Sequence, residues 1–290
     1  MNGDRRLPFD IAIVGLGISG VHQITREVEE TLRRTNEVFV TDMGVGVLEQ
    51  LETLTPKVTD LTSRYQGGTH RILIYRRMAS EVVAAALDHP PVAFATYGHP
   101  RMYCYPTTLI ERAAMVLDLD VEVLPGISFL DTLLAELGVD PGFDGLQLYE
   151  ATDVVVRRRP LQPDVNCVIT QGPIVMDAYN RPGAPSEDNL RLMQDYLLEV
   201  YPAQHEAIFV VSKTHPLLDT IKQAVPIGKL AEVLGQGPNV GTLFIPPIRH
   251  RDVASQELAD RMSLPSEDEG GEQRPGRRAG RPEIGPKQSS

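Results

Sequence analysis

The sequence is poor in cysteine, in positive charge and in long apolar runs, and each shortage excludes a class of protein. Its two cysteines, Cys104 and Cys167, lie in no C-x-x-C motif, and no histidine cluster has zinc-like spacing, so we predict free thiols and no metal. The formal net charge of -11 argues against a nucleic-acid scaffold. No run approaches the roughly 18 apolar residues of a membrane helix, and residues 1–6 are polar. We therefore predict a cytoplasmic protein that binds neither nucleic acid nor membrane.

What is present is enough apolar sequence for a large folded core, arranged in alternating short runs. The chain has 290 residues, of which 42% are hydrophobic. Apolar runs that stop at glycine or proline predict strands, and amphipathic stretches between them predict helices. Strands are predicted at residues 11–14, 37–42, 91–97, 121–124, 164–170, 207–211 and 242–245, and helices at about 20–34, 76–88, 107–117, 129–137 (with Ser128 as N-cap) and 189–200. This alternation predicts an α/β fold with a mainly parallel sheet.

The same pattern divides the chain into three parts. We predict an N-terminal α/β domain over residues 1–122 and a C-terminal α/β domain over residues 123–250. Residues 251–290 differ in composition, since only Leu264 and Ile284 are large aliphatic residues from position 264 onward. Such a composition predicts a disordered tail.

The first motif is a glycine loop, Gly15-x-Gly17-x-x-Gly20, between the first predicted strand and helix. Glycine is needed where a backbone turns sharply or must approach another group closely. The loop matches the dinucleotide fingerprint, and Asp42 follows the second strand where a ribose-binding carboxylate is expected. By itself the motif is equally compatible with dinucleotide binding, with a structural turn and with S-adenosylmethionine (SAM) binding.

Three later strands also end in turns that bear glycine or proline: residues 97–100, 124–128 and 241–247. In an α/β sheet, ligands gather outside the carboxyl ends of the strands, so such turns can converge on one crevice. Read in order with the glycine loop, these segments resemble the tetrapyrrole (corrin and porphyrin) methylase superfamily over roughly residues 8–248. The resemblance implies two α/β domains with SAM in the cleft between them, and a homodimer.

One departure from that family narrows the resemblance. Gly98-His99-Pro100 stands where tetrapyrrole enzymes carry Gly-Asp-Pro, and residues 149–153 read Tyr-Glu-Ala-Thr-Asp. Both features are similar to the borosin branch, whose enzymes methylate backbone amide nitrogens of a ribosomal peptide. The borosin pattern also places a tyrosine, an arginine six residues on and a tyrosine four residues further in the helical stretch before this strand. Tyr65, Arg71 and Tyr75 stand at those positions, with Tyr97 opening the turn.

The chemistry gives these residue types a reason. An amide nitrogen is a poor nucleophile, so its methylation needs a base at the N–H and a group that stabilises charge on the carbonyl oxygen. On a helix, Arg71 and Tyr75 share a face, and the guanidinium would favour a phenolate at Tyr75 that accepts the amide proton. Tyr65 and Tyr97 are predicted to orient the amide or hold the peptide carbonyl as hydrogen-bond donors.

For the cofactor, the resemblance implies a set of residues at the strand ends. They are Gly15, Gly17, Tyr97, His99, Ser128, Gln171, Val211, Ser212 and Thr242. Two basic runs stand outside this set. Arg76 and Arg77 are interpreted as solvated helix charges, and residues 157–159 (Arg-Arg-Arg) either as a solvated run or as a dock for an acidic leader peptide.

In fused borosins the enzyme carries its own apolar core peptide. Residues 264–290 contain no apolar stretch to methylate, which predicts a split arrangement with a precursor peptide supplied in trans. Two alternatives remain open at this point. One is a C-methyltransferase acting on a tetrapyrrole, which His99 disfavours; the other is a non-catalytic SAM- or nucleotide-binding regulator that uses Asp42 as a ribose ligand.

Overall fold

The computed structural model describes residues 8–41, 44–181 and 183–262. The strands are β1 Ile11–Gly15, β2 Glu37–Thr41, β3 Val58–Asp60, β4 Val92–Thr96, β5 Val121–Leu124, β6 Leu146–Glu150, β7 Asn166–Thr170, β8 Glu206–Val211, β9 Ile221–Pro226 and β10 Thr242–Ile245. The helices are α1 Arg26–Leu32, α2 Val47–Leu54, α3 Arg71–Asp88, α4 Tyr105–Leu117, α5 Phe129–Leu137, α6 Pro141–Asp144, α7 Ala151–Arg157, α8 Glu187–Leu198, α9 Leu230–Gly235 and α10 Gln256–Asp260. Residues up to His250 form one compact unit and those from Arg251 a second.

The first sheet is entirely parallel, with the strand order β3-β2-β4-β1-β5. Its central strand β1 is buried along its whole length, because helices cover both faces of the sheet. Ile11 and Ile13 face the core formed with α3 and α4, whereas Ala12 and Val14 face the core formed with α1 and α2. Strands buried on both faces read as continuous apolar runs, which is why β1 and β4 are easy to find in the sequence.

The second sheet has the order β6-β7-β10-β8-β9 and is mixed. Only β6 and β7 are parallel; β10 runs antiparallel to both β7 and β8, and β9 antiparallel to β8. The prediction of a mainly parallel sheet is therefore wrong for this half of the chain. An apolar run marks a buried strand but carries no information about its direction, and β10 enters between two strands that point the other way.

Several element boundaries differ from prediction for local reasons. Helix α3 begins at Arg71 and not at residue 76, because the Nδ1 atom of His70 accepts a hydrogen bond from the backbone N–H of Ile72 and caps the helix. Helix α1 begins only at Arg26, since residues 20–22 form a separate 3-10 turn. Helix α5 has its predicted bounds: Ser128 and Asp131 form a reciprocal capping box. The sequence patterns missed α2, β3, β6, α7 and β9.

The chain after residue 250 is described only in part. Ser255 caps the short helix α10, and residues 263–290 lie outside the described residues. The predicted domain boundaries and the predicted disordered tail remain predictions. Across the described residues, none of the helices combines the length and apolar character needed to span a bilayer. Both cysteines are free thiols, with Cys167 buried and Cys104 half-buried.

Candidate active site

Three glycine-bearing turns meet at the carboxyl edge of the first sheet; we call residues 15–20, 97–100 and 124–128 the glycine turns. Gly17 and Gly98 exchange both backbone hydrogen bonds, with N···O distances of 3.3 and 2.7 Å. A methyl group added at Gly15 would lie 2.5 Å from the carbonyl oxygen of Gly98, and one added at Gly126 would lie 2.3 Å from it. The glycines are therefore required so that one turn can touch another.

The backbone N–H groups of the glycine loop already have partners within the protein. Leu16 donates to the carbonyl of Thr96 at 2.9 Å, and Ile18 and Ser19 both donate to Oε1 of Gln23, at 2.7 and 2.8 Å. A dinucleotide phosphate needs such N–H groups free at a helix N-terminus. The loop is thus a close-approach turn and not a phosphate cradle, and Asp42 lies outside the described residues.

The predicted cofactor residues of the second sheet also gather at one edge. Because β10 is antiparallel to its neighbours, its first residue Thr242 pairs with Thr170 at the end of β7 and with Val210 near the end of β8. Gln171 directly follows β7, Val211 is the last residue of β8, and Ser212 directly follows it. The antiparallel strand therefore brings the predicted residues together as well as a parallel one would.

Two predicted cofactor side chains have hydrogen-bond partners within the fold. The hydroxyl of Ser128 donates to Asp131 at 2.6 Å as part of the α5 cap, and the hydroxyl of Ser212 donates to Glu136 at 2.8 Å. The second of these contacts ties α5 to the end of β8. Roles for Ser128 and Ser212 toward SAM stay predictions.

Contacts between residues that follow the two sheets bring their carboxyl edges face to face. Ser19 donates a hydrogen bond to the carbonyl of Lys213 at 3.3 Å. Tyr103, in the turn after β4, lies close to Thr170 of β7, and its ring lies 6.1 Å from that of Phe129. Burial raises the pKa of Tyr103, so this phenol stays protonated in the contact. The predicted cleft between the two α/β parts is formed here.

The four predicted catalytic side chains converge beside this cleft. Arg71 is the first residue of α3 and Tyr75 lies one turn further, on the predicted shared face. The ring of Tyr75 makes edge contacts with Tyr65 and with Tyr105, each at 6.4 Å between centroids. Placing Tyr65 in the helical stretch was wrong, because Tyr65 follows a 3-10 turn and precedes α3 by six residues.

Tyr65 is held in its protonated form. Burial is the largest cause that raises its pKa, and the neighbouring phenols of Tyr75 and Tyr97 raise it further, against a smaller lowering by Arg71. Although 38% of the Tyr65 surface is exposed, burial still raises the pKa of the phenol. The buried part of the side chain is therefore the end that carries the hydroxyl. Tyr65 therefore suits a hydrogen-bond donor, as predicted, and not a base.

A cavity of about 410 Å³ opens next to these side chains. Its walls are Arg71, Tyr75, Pro100, Arg101, Tyr103, Cys104, Tyr105, Thr107, Thr108 and Gln171. Two buried polar atoms in the wall, Nε of Arg71 and Oγ1 of Thr107, have no hydrogen-bond partner among the described residues. Unsatisfied buried polar atoms are costly and mark places where a ligand can complete the bonding.

Most of the wall comes from the β4–α4 turn and the first turn of α4, which sequence reasoning missed beyond Pro100. A signal was present: Tyr103-Cys104-Tyr105 follows a strand that ends in Gly98-His99-Pro100, and Pro106 marks the start of a helix. Side chains directly after such a strand must lie at the ligand edge of the sheet. Tyr103 and Gln171 also have positive φ values of 59° and 57°, a strain that clusters at functional sites.

The remaining predicted residues lie around this cavity or away from it. Tyr97 is 62% exposed at the mouth of the glycine turns. His99 accepts a hydrogen bond at Nδ1 from the backbone N–H of Arg101 at 3.0 Å. Arg76 and Arg77 are exposed, as predicted. The exposed run at residues 157–159 forms ion pairs with Asp153 and Glu199, which favours the solvated interpretation over a dock for an acidic peptide.

The residues present fit SAM, the predicted cofactor. SAM combines a sulfonium cation with a polar nucleoside and an amino-acid group. The tyrosine rings of the cavity suit a cation. The amide of Gln171 and the hydroxyl of Thr107 can supply hydrogen bonds for polar groups.

Comparison with known proteins decides the family. Residues 10–216 match the model of the Tetrapyrrole (Corrin/Porphyrin) Methylases. The chain belongs to this family. The predicted family and the predicted fold, two α/β parts of the tetrapyrrole methylase type, are confirmed.

Curated relatives of this tetrapyrrole methylase include methyltransferases that are named as peptide precursors. The methyltransferase/ribosomally synthesized cyclic peptide dendrothelin A precursor of Dendrothele bispora is 25% identical over 249 residues, covering 85% of this chain and 60% of the relative. A type I borosin cyclic peptide precursor of Serendipita vermifera is 26% identical over 265 residues, covering 89% of this chain and 63% of the relative. The chain thus spans about three fifths of the length of these relatives.

A solved structure shares the fold. Uroporphyrin-III C-methyltransferase from Thermus thermophilus, complexed with S-adenosyl homocysteine, aligns with a TM-score of 0.56 at 14% identity. The alignment covers 81% of this chain and 91% of the other. At this identity the likeness establishes the fold alone, and the substrate has to be argued from the side chains.

Proposed function

We propose that this tetrapyrrole methylase is a SAM-dependent enzyme that N-methylates backbone amides of a ribosomal precursor peptide. The observation that carries the proposal is the convergence of Arg71, Tyr75 and Tyr65 beside a cavity with unsatisfied polar atoms in its wall. A tetrapyrrole offers carbon nucleophiles and many carboxylates. A peptide amide instead needs a proton acceptor and a partner for its carbonyl, and tyrosine and arginine supply both.

The roles follow from where each group lies. When bound, SAM supplies an electrophilic methyl group on its sulfonium. Tyr75, between Tyr65 and Tyr105 on the wall, accepts the proton of the amide nitrogen. Arg71, one helical turn away with its Nε unsatisfied, stabilises negative charge on the phenol and on the amide oxygen.

The other two tyrosines orient the substrate. Tyr65 donates a hydrogen bond to the peptide carbonyl, which its raised pKa keeps possible at neutral pH. Tyr97, largely exposed at the end of β4, contacts the peptide at the mouth of the cleft. Because methyl transfer requires the nitrogen, the methyl carbon and the sulfur in line, such positioning contributes much of the rate.

We further propose that the peptide is supplied as a separate chain. The relatives combine methyltransferase and precursor in one name, whereas residues 264–290 of this chain contain only two large aliphatic residues. The homodimer and the cytoplasmic location implied at the outset belong to the same proposal.

The test uses the purified chain with SAM, a pool of apolar synthetic peptides and, in a parallel reaction, uroporphyrinogen III. We expect tandem mass spectrometry to find added methyl groups on backbone nitrogens of the peptides. Methyl groups found only on the enzyme's own residues would contradict the trans arrangement. Methylation of the porphyrinogen and of no peptide would contradict a peptide substrate, although the protein would still be a SAM-dependent methyltransferase.

A further inference from the structure

The segment that carries Tyr65 and Arg71 is held by a loop from the other half of the chain. Residues 178–180, which we call the bridge segment, follow β7 and run antiparallel to residues 68–71. Arg71 donates its backbone N–H to the carbonyl of Ala178 at 2.9 Å, and Gly68 donates to the carbonyl of Asn180 at 2.7 Å. Asn180 returns a bond from its own N–H to the carbonyl of Thr69 at 2.9 Å.

Asn180 adds a side-chain contact to these backbone bonds. Its amide Nδ2 donates to the backbone carbonyl of Tyr65 at 2.8 Å, across 115 residues of sequence. The side chain, the N–H and the carbonyl of this one residue are thus all directed at residues 65–69. The N–H of Tyr65 bonds to the carbonyl of Thr62 in the preceding 3-10 turn at 3.0 Å, whereas its carbonyl lies outside α3 and accepts the bond from Asn180; residues 66–68 are exposed.

The bridge segment is itself held by other parts of the fold, so it can fix the position of residues 65–71. The loop leaves β7 at Gln171, in the wall of the cavity, and Met176 donates its N–H to Oγ1 of Thr152 at 3.0 Å. Tyr179 donates its N–H to Asp177 at 3.1 Å, and its ring lies 5.1 Å from that of His70. The segment therefore has fixed contacts on both sides.

We infer that Asn180 is a positioning residue, which sets the place of the Tyr65 hydroxyl relative to Arg71 and Tyr75. This inference rests on the proposed catalytic roles of those side chains. Proton transfer and in-line attack are sensitive to displacements of about half an ångström. A loosened Tyr65 backbone therefore lowers the rate of the chemical step more than it lowers the affinity for the peptide. SAM binding depends on other turns and is spared.

The test compares Asn180→Asp, Asn180→Ala and a matched control, Asn36→Ala. The aspartate keeps the shape of asparagine but cannot donate when ionised. Asn36 also links distant segments through its side chain, to the carbonyls of His89 and Pro90, but at the opposite end of the first sheet. For each variant we measure kcat and KM for a peptide substrate, the affinity for SAM by calorimetry, and amide hydrogen exchange at Gly68 and Arg71.

For both Asn180 variants we expect kcat to fall about tenfold to hundredfold, with KM and SAM affinity close to wild type. Exchange at Gly68 and Arg71 should speed up roughly fivefold, since one hydrogen bond of the bridge is lost. Asn36→Ala should leave kcat and these two amides unchanged.

Two results would overturn the inference: a wild-type kcat for Asn180→Asp, or an equal loss of kcat in Asn36→Ala, which would indicate a general loss of stability. If the wild type methylates no peptide at all, the proposed function fails separately. The exchange measurement then still decides, because unchanged exchange at both amides refutes the bridge and faster exchange supports it.

Discussion

The glycine turns and the cavity lie at the same edge of the first sheet, but they differ in whether their polar groups have hydrogen-bond partners within the protein. In the turn at residues 15–20 the N–H groups of four successive residues, 16 to 19, have partners inside the protein. In the cavity wall, Nε of Arg71 and Oγ1 of Thr107 have none among the described residues, and Tyr103 and Gln171 are strained.

The difference indicates which of the two does chemistry. A satisfied, close-packed turn contributes to holding the sheet edges in place and has little left to offer a ligand. A wall with unsatisfied atoms and positive φ values costs stability, and that cost is accepted where a ligand or a reaction needs the geometry.

The largest effect is expected on the cavity side. Tyr75→Phe removes the proton acceptor and should lower methylation of a peptide by about a hundredfold or more, with SAM affinity retained. Tyr196→Phe is the matched control, because its hydroxyl donates to the carbonyl of Arg159 at 2.5 Å away from the cavity. Rates from single-turnover mass spectrometry check this, and an active Tyr75→Phe enzyme would remove Tyr75 from the mechanism.

On the glycine side, the effect should fall on stability. Gly126→Ala places a methyl group 2.3 Å from the carbonyl oxygen of Gly98 and 2.7 Å from the carbonyl carbon of Gly15. Backbone cannot move aside as a flexible side chain can, so we expect a loss of about 3 kcal/mol in the free energy of unfolding in urea. Gly237→Ala, whose added methyl lies 3.5 Å from its nearest neighbour, should cost far less. Equal stabilities of the two variants would contradict the close-approach interpretation.

A smaller loss is expected for the side chain that satisfies the glycine loop. Gln23→Ala leaves the N–H groups of Ile18 and Ser19 without their acceptor, which should cost about 2 kcal/mol of unfolding free energy. Gln23→Glu keeps an acceptor in the same place and should retain most of the unfolding free energy that Gln23→Ala loses. Thermal melts of the three proteins check the order; an alanine variant as stable as the glutamate variant would indicate that water replaces Gln23 without loss.

The smallest effect concerns a fully paired network at the opposite end of the first sheet. Burial alone would raise the pKa of Glu37, but hydrogen bonds with Thr59, Lys57 and His89 outweigh it and hold the pKa below its usual range. The bond to Glu37 raises the pKa of His89. The His89 contribution is present below the unfolded-state pKa of histidine and is lost as the pH rises through the folded value; the Glu37 contribution is lost as the pH falls through its lowered value.

Glu37→Gln should therefore destabilise the protein more at about pH 5.5 than at about pH 8.5, because the charge of His89 is lost as the pH rises. Because the His89 side chain is 36% exposed, the difference should stay below about 1 kcal/mol. Urea unfolding at the two pH values measures it. Methylation should be unaffected, and a pH-independent cost would exclude the pairing with a charged His89.

Patterns in the sequence predicted the parts of the fold that repeat a simple period. The apolar runs at β1, β4 and β10 and the Ser128 cap stand where predicted, because burial on both faces or a side-chain cap leaves a local signature. The direction of β10 could not be predicted, since strand direction depends on which neighbours it meets. Exposed β9 and the short β3 lack an apolar run and were missed.

The site divides in the same way. Arg71 and Tyr75 could be paired from sequence because helical spacing places them on one face. The bridge at Asn180 could not, because contacts across 115 residues leave no local pattern in a single sequence. The partners of Ser128 and Ser212 within α5 likewise depend on how that helix packs.

The place of β10 in the second sheet has a consequence for how the chain is made. All five strands of the first sheet have been synthesised once residue 124 leaves the ribosome. The second sheet must wait for Thr242–Ile245, because its central strand is also its last. Until then β7 and β8 each expose an open edge to water and to other chains, and any stop before residue 242 makes that state permanent. Pairing of β10, which begins at Thr242, thus also covers the open edges of β7 and β8 and protects the nascent protein from aggregation.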